Sequence, residues 1–86
     1  MKTAVVTGVA GFIGSSLAEK LLEKNFKVIG IDCFTDYYSK QIKKNNIKSC
    51  LKNSNFKIVE KNILDLDLKP IFQKANFLFH EAAQPG

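Results

Sequence analysis

Eighty-six residues bound this chain to a single domain at most, and a core of that size is marginal, because domains of about 60 residues bury only about 60% of their unfolded surface. Hydrophobic residues make up 45% of the chain, yet they nowhere run to the roughly 20 consecutive apolar residues that a membrane span requires. The formal charge is +5 and all 13 basic residues are lysine; nucleic-acid surfaces favour the bidentate fork of arginine, so the excess charge reads as solvated surface rather than as a nucleic-acid face.

The first element is a strand over Thr3 to Thr7, a β-branched run that stops at Gly8. Gly8, Gly11 and Gly14 follow at three-residue intervals, and Ile13, Leu17 and Leu21 then recur four apart, with Ala18 and Leu22 beside them and Glu19, Lys20, Glu23 and Lys24 opposite. That pattern predicts an amphipathic helix with its apolar stripe on a sheet. The glycines therefore fall where strand becomes helix. Gly8 permits a sharp turn, Gly11 removes a Cβ where a phosphate must meet backbone, and Gly14 lets the helix lie close on its own strand. The unpaired first N–H groups of the helix, at the positive end of its dipole, form a site for a pyrophosphate.

A secretory leader is the competing reading of this N-terminal stretch, because Met1-Lys2 is followed by uncharged residues as far as Ala18. Three spaced glycines oppose it, each costing about 1 kcal/mol in a helical apolar region.

A second strand over Lys27 to Ile31 ends in Asp32, which completes a βαβ unit and places a carboxylate where an adenosine ribose would donate its hydroxyls. A carboxylate there repels a 2′-phosphate, which favours NAD over NADP. In the competing reading, the glycines serve packing alone and Asp32 caps a loop. Cys33 to Tyr38 (CFTDYY) forms a loop over the adenosine end, and Ser39 caps a helix running to about Lys52, with Ile42, Ile47, Cys50 and Leu51 as its apolar stripe. Lysines 40, 43, 44, 48 and 52 share that helix as a solvated face. Cys33 and Cys50 match neither zinc spacing nor a disulfide framework, which points to reduced thiols in a cytoplasmic protein.

Asn53 to Asn55 make a turn, and Phe56 to Glu60 reads as a third strand. The next stretch is a loop leading to a brief helix with Pro70 in its first turn, Ile71 and Phe72 packing inward, and Asn76 closing the segment. Phe77 to Phe79 is the fourth strand, leading into HEAAQPG. Right-handed crossovers on both faces then give an α/β fold, a partial doubly wound parallel sheet of four strands in the order 3-2-1-4, with strand four at an open edge. Such sheets normally use two mononucleotide halves; this chain has room for little more than one, so residues 1–86 are expected to be the N-terminal part of a Rossmann-type domain.

TGVAGFIG, Asp32 after strand two, and HEAAQPG after strand four together resemble the extended short-chain dehydrogenase/reductase family. Within it, IDCFTDYY and FHEAAQPG are most similar to NAD-dependent nucleotide-sugar epimerases and dehydratases acting at carbon 4 of UDP-glucose, UDP-glucuronate or their N-acetylated relatives. The resemblance implies that Gly8, Gly11, Phe12, Ile13 and Gly14 surround the NAD pyrophosphate and that Asp32 holds the adenosine ribose. It also implies that Asn62 and Ile63 lie beside adenine, where the family usually has Asp-Ile, with Asp65 as the rival acceptor. Ala82 and Ala83 match the small residues that let backbone approach the nicotinamide side. His80 is expected to pack at a strand end, and Glu81 and Gln84 match no family catalytic residue.

Family members take a substrate hydroxyl proton with the tyrosine of a Tyr-x-x-x-Lys pair while a hydride moves to NAD. Here Tyr37 is followed four residues later by Gln41 and Tyr38 by Ile42, so no catalytic residue is assigned within the chain. The resemblance thus implies the NAD-binding part of a nucleotide-sugar epimerase, inactive on its own and homodimeric when intact. A 4,6-dehydratase of the same family, a non-catalytic NAD sensor and a basic nucleic-acid module are the competing assignments.

Overall fold

The computed structural model describes residues 1–32, 37–60, 67 and 69–80. Four strands, β1 (Thr3–Thr7), β2 (Lys27–Asp32), β3 (Phe56–Glu60) and β4 (Phe77–His80), form one parallel sheet in the order β3-β2-β1-β4. The predicted strand order holds. Thr7 stands opposite Ile31 on one side and His80 on the other, and Asp32 stands opposite Glu60, so these residues mark a common carboxyl edge.

The two central strands, β1 and β2, are covered on both faces, which is why β1 reads as a continuous apolar run rather than an alternation. Ala4, Val6 and Val28 face α1 (Phe12–Glu23), together with Ala18, Leu21, Leu22, Ile47 and Cys50. Val5, Ile29 and Ile31 face the other way, with Ile71 and Ala75 packed near them from α4 (Lys69–Lys74) and the residue that follows it. Each fully buried Val or Ile contributes about 1.5–3 kcal/mol, and Val5, Val6, Val28 and Ile31 all fall in this class.

Helix α1 ends by turning left-handed at Asn25, φ 65°. The Asn25 N–H donates to the Leu22 carbonyl at 3.0 Å and the Phe26 N–H to the Leu21 carbonyl at 3.0 Å, the paired bonds of a Schellman stop. The chain is thereby aimed into β2. Asn76 performs the matching task for β4: its Oδ1 accepts from the Thr3 N–H at 2.9 Å and its own N–H donates to the Thr3 carbonyl at 2.8 Å.

Several expectations are corrected. The long helix predicted from Ser39 to about Lys52 is two helices, α2 (Tyr37–Asn46) and α3 (Lys48–Leu51), and Ser39 lies inside α2 rather than capping it. The break falls at Ile47, which is 1% exposed: its burial, with that of Cys50, turns α3 onto α1. Ile42 and Leu51, expected on the same apolar stripe, are exposed. Ile13 is likewise 67% exposed, because α1 presents Gly14, Ser15, Ala18, Leu21 and Leu22 to the interior. Strands β2 and β4 each run one residue further than predicted, so Asp32 and His80 are strand residues.

Candidate functional site

The β1–α1 turn is built by backbone geometry. Gly8 adopts φ 67°, its N–H donates to the Ile31 carbonyl at 2.8 Å, and its own carbonyl accepts the Gly11 N–H at 3.1 Å, closing a tight turn. Gly11 is the helix N-cap, and having no side chain it provides no cap; the first helical bond runs from the Ser15 N–H to the Gly11 carbonyl at 2.9 Å. The N–H groups of Phe12, Ile13 and Gly14 thus have no acceptor within the helix. No acidic residue lies in that first turn to offset the dipole, and Phe12 and Ile13 are exposed. Ser15 and Ser16 each donate a hydroxyl back to the Phe12 carbonyl at 3.0 Å, which leaves the N-terminal approach clear of their side chains.

Gly14 must be glycine for a packing reason. A Cβ there would collide with the Gly8 carbonyl oxygen and lie 3.0 Å from the Val9 Cα, all backbone atoms that cannot rotate away. This contact brings the positive helix end directly over the end of β1.

Asp32 is drawn to the same turn. Its Oδ2 accepts the Ala10 N–H at 2.9 Å, and its Oδ1 accepts from Lys43 Nζ at 3.0 Å, with the Asp32 side chain only 4% exposed. The Ala10 carbonyl in turn accepts from Asn46 Nδ2 at 3.0 Å. Both backbone groups of Ala10 are therefore held by side chains, one from β2 and one from α2. Lys43 and Asn46, three apart on α2, were not singled out by sequence reasoning, which placed Lys43 on a solvated lysine face. Their only prior signal is the i, i+3 spacing. On the β4 side, Thr7 Oγ1 and His80 Nδ1 share a hydrogen bond of 2.7 Å across the strand pair, and His80 is otherwise exposed at the strand end.

The structure thus brings Gly8, Gly11, Phe12, Ile13, Gly14 and Asp32 to one carboxyl edge, beside the point where strand order reverses between β1 and β4. Ligands of open parallel sheets bind in that crevice. Asn62, Ile63, Ala82 and Ala83 lie outside the described residues. Among the described residues, no group of three or more acidic, histidine or cysteine side chains could hold a metal ion, and no helix is long and apolar enough to cross a membrane.

Residues 5–85 match the family profile described as GDP-mannose 4,6 dehydratase. The chain belongs to this family. Among family relatives, it is 42% identical over 83 residues to the uncharacterized UDP-glucose epimerase YtcB of Bacillus subtilis, covering 95% of this chain and 26% of that protein. It is 38% identical over 87 residues to UDP-glucuronate 4-epimerase 4 of Arabidopsis thaliana, covering 98% and 20%. The UDP-glucuronic acid 4-epimerase of Bacillus cereus, solved with UDP-glucuronic acid and NAD, matches with a TM-score of 0.88 at 40% identity, over 98% of this chain and 27% of that one. The dTDP-glucose 4,6-dehydratase of Bacillus anthracis, solved with NAD, matches with a TM-score of 0.79 at 30% identity, over 98% and 27%. The chain spans roughly a quarter of the length of these relatives. Similarity to both epimerases and a dehydratase agrees with the family resemblance carried by the glycine turn, Asp32 and HEAAQPG.

Proposed function

We propose that this chain is the NAD-binding N-terminal part of a nucleotide-sugar epimerase acting at carbon 4 of a UDP-sugar. The observation that carries the proposal is the Ala10–Asp32 hydrogen bond, which sets a charged acceptor against the turn that opens the uncapped helix. NAD fits both halves of this arrangement. The amides of Phe12, Ile13 and Gly14 hold the pyrophosphate, while the carboxylate accepts from the adenosine ribose through acceptor sites that Ala10 and Lys43 leave over, since an ionised carboxylate offers about four. Asn62 and Ile63 border the adenine, and Ala82 and Ala83 allow the nicotinamide end to approach backbone.

Bound NAD supplies a hydride acceptor and donor for the sugar carbon. This chain binds and orients that cofactor; the proton-transferring tyrosine and the sugar-binding lobe belong to the C-terminal part of the intact, homodimeric, cytoplasmic enzyme. The 4,6-dehydratase match favours one second assignment, a dehydratase using the same cofactor site.

Isothermal calorimetry of the full chain with NAD tests cofactor binding directly, and product analysis after incubation of the intact enzyme with UDP-glucuronate or UDP-glucose separates the two chemistries. Carbon-4 epimers support the epimerase. A 4-keto-6-deoxy product supports the dehydratase, and absence of NAD binding overturns both.

A further inference from the structure

Resting on the NAD-binding assignment above, we propose that Lys43 is a specificity-determining residue that relaxes the discrimination between NAD and NADP which Asp32 would otherwise impose. A carboxylate alone beside the ribose rejects a 2′-phosphate by like-charge repulsion. Asp32 is not alone. Lys43 Nζ stands 3.0 Å from its Oδ1, and the Asp32 side chain is 4% exposed against 29% for that of Lys43, so the carboxylate is compensated chiefly by an ammonium rather than by water.

The geometry constrains any ligand that uses this carboxylate. A hydroxyl donating to Asp32 Oδ1 lies at hydrogen-bond distance from it and hence within about 6 Å of Lys43 Nζ. A phosphate on that hydroxyl falls within the range over which a single positive charge is felt, less than one Debye length at physiological salt. Lysine suits this role because its ammonium is a compact point charge on a flexible stem, able to turn from carboxylate to phosphate without leaving the site. Asn46, three residues on, donates to the Ala10 carbonyl and anchors α2 against the turn, which keeps Lys43 within reach.

The test is calorimetric titration of the full chain with NAD and with NADP, comparing the native chain with Lys43→Met and Lys43→Arg. Methionine keeps an unbranched apolar stem and removes the charge; arginine keeps the charge. The expected result is that Lys43→Met raises the ratio of the NADP dissociation constant to that of NAD by about two- to fivefold, the scale of one partly screened charge pair. Lys43→Arg should leave the ratio near that of the native chain. A ratio unchanged in Lys43→Met, with NAD still bound, overturns the role of Lys43 alone. A native chain that binds neither dinucleotide overturns the cofactor assignment and this inference with it.

Discussion

The backbone N–H of Ala10 lies 2.9 Å from Oδ2 of Asp32, joining the turn that follows β1 to the last residue of β2. One carboxylate therefore shapes the turn and also stands where a ribose would donate. Replacing Asp32 by asparagine keeps an acceptor for Ala10 and removes the charge. NAD affinity should fall by about ten- to a hundredfold, in line with the loss of charge-assisted hydrogen bonds, and discrimination against NADP should lessen. Calorimetry with both dinucleotides reads this, and an unchanged affinity would contradict the role given to Asp32.

Gly14→Ala tests the close approach of helix and strand. The added Cβ meets the Gly8 carbonyl and the Val9 Cα, so α1 must shift away from β1. Stability should drop by about 1–3 kcal/mol, the usual cost of overpacking. NAD binding should weaken in the fraction that remains folded. Urea denaturation and a binding titration at low temperature measure the two effects separately.

Cys50 provides a pH-dependent signal remote from the proposed cofactor site. Burial pushes its thiol above the ordinary value, the negative charge of Glu19 pushes it further, and a hydrogen bond with Ser49 partly opposes both. The folded chain thus prefers the protonated thiol. The associated stability is fully present below the unfolded thiol value of about 8.5 and is lost as pH rises through the raised folded value. Thermal midpoints recorded from pH 7 to pH 10 should fall more steeply for the native chain than for Cys50→Ala, and parallel curves would contradict this account.

Asn25 carries the left-handed stop of α1 at φ 65°, a conformation that glycine adopts without a Cβ penalty. Asn25→Gly should stabilise the chain by about 0.5 kcal/mol, less than the full left-handed penalty because asparagine tolerates this region and glycine loses more entropy on folding. A higher urea midpoint at constant slope is the expected observation. A lower midpoint would mean that the asparagine side chain has a role beyond the turn.

Much of the fold is legible in the sequence. The bounds of β1 and β3 follow from apolar runs closed by turn residues, and the strand order from right-handed crossovers. The glycine turn was legible because only a backbone demand explains three glycines between a strand and a helix. The split between α2 and α3 was not, since the stretch around Ile47 contains neither glycine nor proline and continues a helical pattern through Cys50. Burial of Ile47, a property of the packed chain, decides that break. Ile13 misled for a related reason: periodicity places residues on a helix face, yet it does not say which members of that face meet the sheet.

What the sequence by itself determined is the sheet, its strand order and the turn at the first crossover, because these depend on local hydrophobic period and on the backbone freedom of glycine. What only the tertiary structure decided is the company Asp32 keeps. Among the lysines of the segment from 40 to 52, Lys43 reaches the carboxylate because α2 is laid against the turn with Asn46 holding the Ala10 carbonyl. Spacing along a helix defines a row of side chains, and only packing against another element selects which member of that row meets a charge.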